Sequence, residues 1–206
     1  MTASLVLAHP YPGSFNHALF FRARDRLSGL GLACHAHDLY AEGFDPVLTV
    51  AELGSGVSDD PLVGQYTDEL VASELLVLVH PNWWGQPPAM MKGYIDRVFR
   101  MPHAYEVLPD GQGGTVPKGR LGGKRAIVLT TSNTPAGREK EYFGDPLASI
   151  WGPCVFGFCG VDAWQRVNFA VVEASDDATR KRWLDEVDGL MEGAVRSYRM
   201  TPMARQ

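Results

Sequence analysis

Cysteine is scarce in this chain of 206 residues: only Cys34, Cys154 and Cys159 occur, and they form no CxxC pair. An odd count without pairing spacing argues against a disulfide framework or a zinc ribbon and fits the reduced thiols of a cytoplasmic protein. Cys154 and Cys159, beside Phe156 and Phe158, read as buried packing residues. Positive charge is also short, with 19 Lys and Arg against 24 Asp and Glu, and a net charge of −5 offers no footprint for nucleic acid. No apolar run approaches the ~18 residues of a membrane span, and the amino end has no charged n-region before its first strand, so neither a span nor secretion is expected. The phosphate-loop pattern GxxxxGK[ST], the dinucleotide fingerprint GxGxxG and the GxSxG elbow are all missing, which leaves nucleotide hydrolysis and serine hydrolysis without support. No repeat, low-complexity tract or long charge run divides the chain, and 1–206 reads as one domain.

What is present is an alternation. Hydrophobic residues make up 45% of the chain, with Gly 22 and Pro 14, enough for one α/β domain with a buried sheet. Apolar runs and helical periodicities predict strand 4–8, helix 16–29, strand 32–38, helix 62–72, strand 75–80, helix 88–100, strand 125–131, helix 145–158, strand 162–170 and helix 176–197. Such an order implies right-handed crossovers and a parallel sheet with helices on both faces. The last helix alternates acidic residues with Arg180, Lys181 and Arg182 around Trp183, Leu184, Val187 and Leu190, a solvated amphipathic pattern. Two stretches read as loops, Gly54 to Pro61 and the glycine-rich Leu108 to Gly123, and the second is long enough for a lid or a dimer arm.

Three strands end in loops with ligand-binding chemistry. After Ser4–Ala8 comes His9-Pro10-Tyr11-Pro12-Gly13-Ser14-Phe15-Asn16 and then a helix, whose unpaired N–H groups suit an anion such as phosphate, although Ser14 and Asn16 could equally be plain N-caps. After Leu75–Val79 comes His80-Pro81-Asn82-Trp83-Trp84-Gly85-Gln86-Pro87-Pro88, a stiff aromatic turn suited to one wall of a planar ring; the alternative is that both tryptophans plug the core. After Arg125–Leu129 comes Thr130-Thr131-Ser132-Asn133-Thr134-Pro135-Ala136-Gly137, rich in hydroxyls and amides as ordinary loops also are. The three loops share the carboxyl edge of the sheet, where open α/β folds bind ligands. Other residues carry less: His35 and His37 share a strand face but lack a third ligand, so no metal site is expected, and His80 reads as a core histidine.

His9 to Asn16, the block Pro81 to Phe99, His103-Ala104-Tyr105 and Thr130-Thr131 together resemble the flavodoxin-like NAD(P)H:quinone oxidoreductases, a family that also holds the ancillary subunits of glutathione-gated potassium efflux systems. The likeness covers roughly residues 4 to 165. It implies a flavodoxin-like three-layer α/β/α sandwich whose five parallel strands run in the order 2-1-3-4-5. By the resemblance His9, Ser14, Phe15 and Asn16 hold the flavin phosphate and ribityl chain, Pro81, Asn82, Trp83, Trp84 and Gly85 cradle the isoalloxazine, and Thr130, Thr131, Ser132 and Asn133 contact its pyrimidine edge. Tyr105 would lie over the slot where nicotinamide and quinone alternate. One departure stands out, because Phe143 takes the place of a family histidine, and Tyr142 aligns only loosely with the tyrosine that helps stabilise reduced flavin.

The implied activity is ping-pong hydride transfer from NAD(P)H through FAD, with FMN as the alternative, to a quinone or similar acceptor, in a cytoplasmic homodimer. Catalytic roles fall to Tyr142 and Tyr105 in this reading, and the cofactor carries the chemistry. Two alternatives stay open: a flavin-binding regulatory subunit of a membrane transporter, and a flavodoxin-type electron carrier.

Overall fold

The computed structural model describes residues 1–200. Its main sheet has five parallel strands: β1 (Thr2–Leu7), β2 (Ala33–Asp38), β3 (Leu75–Pro81), β6 (Arg125–Ser132) and β7 (Ala163–Ala170), in the spatial order β2-β1-β3-β6-β7. Counting only these strands, this is the expected 2-1-3-4-5. Register is continuous across the sheet, with Leu5 opposite Ala36 and Val77, Val77 opposite Ile127, and Ile127 opposite Gln165. β3 is buried at every position, as a strand covered on both faces must be, and for that reason it appears in the sequence as an unbroken apolar run.

Strand alternation sends side chains to two apolar clusters. Leu5, Leu7, Val77, Val79, Ile127 and Leu129 meet Leu19, Phe20, Ala23 and Leu27 of α1 (Phe15–Gly29) and Val187, Met191 and Val195 of α7 (Asp177–Met200). Val6, Leu76, Leu78 and Val128 meet Val63, Tyr66 and Leu70 of α3 (Pro61–Ala72), Met91, Tyr94 and Val98 of α4 (Ala89–Val98), and Trp151 and Phe156. Local chemistry sets the helix starts. Ser14 caps α1 by accepting the N–H of His17 at 3.3 Å, and Asp60 caps α3, with Pro61 in its first turn, by accepting from Leu62 at 3.0 Å.

Four regions depart from expectation. Residues 54–61 are not all loop: α2 (Val50–Ser55) starts with a capping box between Thr49 and Glu52. The glycine-rich stretch contains an antiparallel hairpin, β4 (Tyr105–Pro109) with β5 (Thr115–Gly119), whose turn is held by Asp110 accepting from the N–H groups of Gln112 at 2.8 Å and Gly114 at 2.9 Å. The helix expected at 145–158 is two pieces, the short α6 (Pro146–Ser149) and a π-helical segment, Ile150–Gly157, and a further helix that the sequence did not announce, α5 (Ala136–Phe143), precedes them. Gly144 and Asp145 separate α5 from α6 with φ of 70° and 50°, and the wider π turn accommodates Pro153, which cannot donate an α-helical hydrogen bond. Cys154 is exposed rather than buried, because that segment turns Trp151, Val155 and Phe156 inward; Cys159 is buried as expected, and burial pushes its thiol up to about 11.

Candidate functional site

The loops that follow β1, β3, β6 and β7 meet over the carboxyl edge of the sheet and enclose an open cavity of about 1090 Å³. Ligand pockets run about 300–1,000 Å³, so this one has room for a large ring system and a second planar group beside it. His9, Ser14, Phe15 and Asn16 line one part, Pro81, Asn82, Trp83, Trp84 and Gly85 another, and Thr131, Ser132 and Asn133 a third. The structure therefore brings these predicted residues together from three separate parts of the chain.

Thr130, Tyr105 and Tyr142 are not on the lining. Side chains alternate along β6, so Thr130 turns away from Thr131: its hydroxyl lies 3.1 Å from Asn168 Oδ1 and accepts from Arg166 Nη1 at 3.1 Å. Tyr105 packs edge-on against Phe158, ring centres 4.9 Å apart, at the start of the hairpin. Tyr142 is 74% exposed on α5, with the Arg138 guanidinium over its ring. Phe143 does line the cavity, and Glu139 joins it from one turn earlier in the same helix. Nothing local in the sequence marks Glu139, Pro146, Val172 or Glu173 as site residues; Glu139 and Pro146 come from the short helices after β6, and Val172 and Glu173 follow β7, which pairs with β6.

The aromatic turn has a specific backbone. Trp83 and Gln86 exchange both backbone hydrogen bonds, at 3.1 and 3.0 Å, so Trp84 and Gly85 form the tip with φ of 58° and 71°. A left-handed conformation is free for glycine but costs another L-residue about 1–2 kcal/mol. Gly85 is also close to Pro146, whose Cγ would stand 3.1 Å from an added Cβ. The tip holds Trp84 99% exposed, while Trp83 is 42% exposed and tilts against His9 with ring centres 5.9 Å apart. The reading in which both tryptophans plug the core is therefore excluded. Strain kept at a cavity rim for an indole that packs on nothing is the pattern of a ligand clamp.

Beneath the rim the polar groups are tightly placed. Asn16 Nδ2 donates to Thr131 Oγ1 at 2.9 Å, and Asn82 Nδ2 donates to Glu139 Oε1 at 3.0 Å. The amide oxygens of both asparagines are buried without a partner among the described residues. Orphaned acceptors on a cavity wall call for a donor from a ligand or water. A flavin supplies hydroxyls and a ring N–H for such acceptors, and its phosphate suits the amino end of α1, so the residues present fit that group. His9 accepts the N–H of Tyr11 at Nδ1, 3.1 Å, and burial chiefly holds this imidazole below its ordinary value. Behind the wall, fully buried His80 donates from Nδ1 to the Pro81 carbonyl at 2.8 Å and accepts from Trp151 Nε1 at 3.0 Å; burial pushes it down to about 4. Away from the cavity, His37 contacts Glu42 and Glu69, and among the described residues no group of three His, Cys, Asp or Glu is arranged to hold a metal ion.

Residues 1–189 match the family model described as flavodoxin-like fold. The chain is 30% identical over 199 residues to the human ribosyldihydronicotinamide dehydrogenase [quinone], covering 84% of this chain and 83% of that one. It is 28% identical over 192 residues to an uncharacterized NAD(P)H oxidoreductase of Haemophilus influenzae, covering 90% and 91%. An FMN-dependent NADH:quinone oxidoreductase 2 of Xanthomonas euvesicatoria is 29% identical over 132 residues, 62% of this chain and 56% of its own. Among solved structures, a protein of Streptococcus mutans superimposes with a TM-score of 0.80 at 28% identity, covering 94% of this chain and all of that one.

Proposed function

The chain belongs to the family of flavodoxin-like fold proteins, and from that premise we propose that it is a flavin-dependent NAD(P)H oxidoreductase acting on quinones or similar acceptors. The class of its relatives makes it an oxidoreductase enzyme. The observation that carries the reading is the single cavity built by three loops of flavin-type chemistry, with Trp84 held exposed at its rim. FMN replaces FAD as the proposed cofactor: the expectation of FAD has no support among the relatives, and the one above whose name states a flavin states FMN.

A bound flavin would supply hydride acceptance from NAD(P)H and two-electron delivery to the acceptor, in the ping-pong order the proposal keeps. The protein's part is placement. Ser14 and the amino end of α1 hold the phosphate, Asn16 and Thr131 hold the ribityl chain, and Trp83, Trp84 and Gly85 hold one face of the ring. Backbone N–H groups near Ser132 and Asn133, which line the cavity, would serve as donors to the ring's pyrimidine edge, and fixed donors need no reorientation there. Tyr142 stands too far out on α5 to be given a catalytic role, and Tyr105 is proposed to close the site of a second copy in a homodimer. A one-electron carrier would cap its ring, whereas here the cavity leaves space beside it. Support for a three-layer α/β/α sandwich, formed by one domain, comes from the two apolar clusters on opposite faces of the sheet. No helix among the described residues is long and apolar enough to cross a membrane; a cytoplasmic location is part of the proposal, and what speaks against a nucleic-acid partner is the net charge of −5.

Purified protein should be yellow, or become so with FMN, and mass analysis of the released cofactor should identify it. NAD(P)H should then bleach the flavin and a quinone restore the colour. Colourless protein that takes up no flavin on reconstitution would sink the proposal.

A further inference from the structure

His17 is 4% exposed, lies one helical turn behind the cavity wall, and is not itself on the lining. Its Nε2 is 3.0 Å from Asp38 Oδ2 at the end of β2, and its Nδ1 is 2.9 Å from Ser14 Oγ, which does line the cavity. Ser14 Oγ also accepts the backbone N–H of His17 at 3.3 Å. With the Asp38 carboxylate as acceptor, Nε2 carries a hydrogen in either charge state, so only Nδ1 is free to change. When the ring is neutral, Nδ1 is an acceptor and takes the Ser14 hydroxyl hydrogen, leaving that hydroxyl nothing to donate into the cavity. When the ring is protonated, Nδ1–H donates to Ser14 Oγ, both oxygen lone pairs are used inside the protein, and the hydroxyl hydrogen points to an incoming anion.

We propose that His17 is a positioning residue that couples flavin-phosphate binding to the uptake of one proton, by deciding whether Ser14 donates to the phosphate or to His17 itself. This rests on the flavin reading above. The surroundings agree with it. Asp38 is the carboxylate in contact with the ring, and it is fixed in turn by the N–H groups of Tyr40 and Ala41 on Oδ1. Glu42 lies beyond it, accepting the Asp38 N–H at 3.2 Å. From the loop after β1, His9 faces the ring with centres 6.3 Å apart, and its burial disfavours a second positive charge there. From α1 itself the neighbour is Phe21, whose ring also carries the Arg24 guanidinium over it. A phosphate therefore favours imidazolium at His17, and by linkage the bound form keeps its proton to higher pH than the free form. Flavin-phosphate affinity is then full below the free value and falls as pH rises through the window between the two.

The test is FMN affinity of the wild type and of His17→Gln between pH 6.5 and 9, above the second ionisation of the phosphate near about pH 6. Glutamine can donate to Ser14 without titrating. Wild-type affinity should fall by up to about tenfold per pH unit across the window, as one linked proton requires, while His17→Gln is flat and riboflavin, which has no phosphate, is flat with both proteins. In the wild type alone, the nitrogen resonances of the His17 ring should show imidazolium persisting to higher pH with FMN than without. Equal slopes for the two proteins with FMN bound, or a His17 titration unmoved by FMN, would overturn the proton link while leaving the flavin site intact. Failure of both proteins to take up any flavin would instead overturn the parent reading, and this inference with it.

Discussion

Trp84 shows most clearly how one residue separates packing from function. It is 99% exposed, so truncation leaves no cavity, and its φ of 58° gives the chain no backbone benefit. Trp84→Ala should therefore change unfolding stability by no more than about 0.5 kcal/mol, as surface substitutions do. If the indole is a wall of the ring site, the same change removes an aromatic contact of about 0.5–1.5 kcal/mol, and affinity for flavin or NAD(P)H should fall about 2- to 10-fold. Thermal unfolding of apo protein beside flavin and NAD(P)H titrations reads both quantities. Unchanged affinity for both ligands would remove Trp84 from the site.

At the level of elements, the hairpin β4–β5 is the part that the parallel sheet does not need. Its pairing is with itself, and it carries exposed Val107 and Val116 outward. Its base is anchored, because an added Cβ on Gly119 would stand 2.3 Å from the backbone between Cys159 and Gly160, a close approach that only glycine allows. An exposed apolar strand pair on an anchored base suits a dimer arm. Light scattering of the 22.6 kDa chain should give about twice that mass, and shortening the hairpin between Glu106 and Lys118 should return it to the monomer value with flavin uptake retained. A monomeric wild type, or a shortened variant that still pairs, would refute this.

For the whole molecule, acid sensitivity follows from two buried groups with opposite chemistry. His80 is pushed down to about 4 from 6.5 by burial, so the unfolded chain binds its proton first, and stability is full above pH 6.5 and declines as pH falls toward 4, by about 3 kcal/mol in total. For Glu52 burial works in the opposite direction, but hydrogen bonds from Arg97, Ser58 and Thr49 prevail and hold it at about 2, below its ordinary 4.5. Its contribution is present above pH 4.5 and is lost as pH falls toward 2. Urea unfolding at pH 7, 5 and 4 should show a declining midpoint, and His80→Gln, which can keep both hydrogen bonds, should flatten that decline. An unchanged slope in the variant would show that His80 does not govern it.

Much of this architecture was legible locally. Strands buried on both faces must be continuous apolar runs, so β1, β3 and β6 declared themselves, and the residues just past them declared the binding edge, because turn and anion chemistry depend on short-range geometry. Resemblance then supplied the cofactor class that residue types alone left open. The structure alone could decide what depends on a partner distant in the chain. Thr131 faces the cavity and Thr130 the sheet interior because pleating alternates them, a parity set by pairing with β3 and β7. Arg97 finds Glu52 in a buried ion pair across 45 residues, and Glu139 enters the cavity from α5, a helix no sequence pattern announced between the loop after β6 and Pro146. His17 reads as an ordinary helix residue until β2 places Asp38 against it, since strand order, not local pattern, sets which side chains become neighbours.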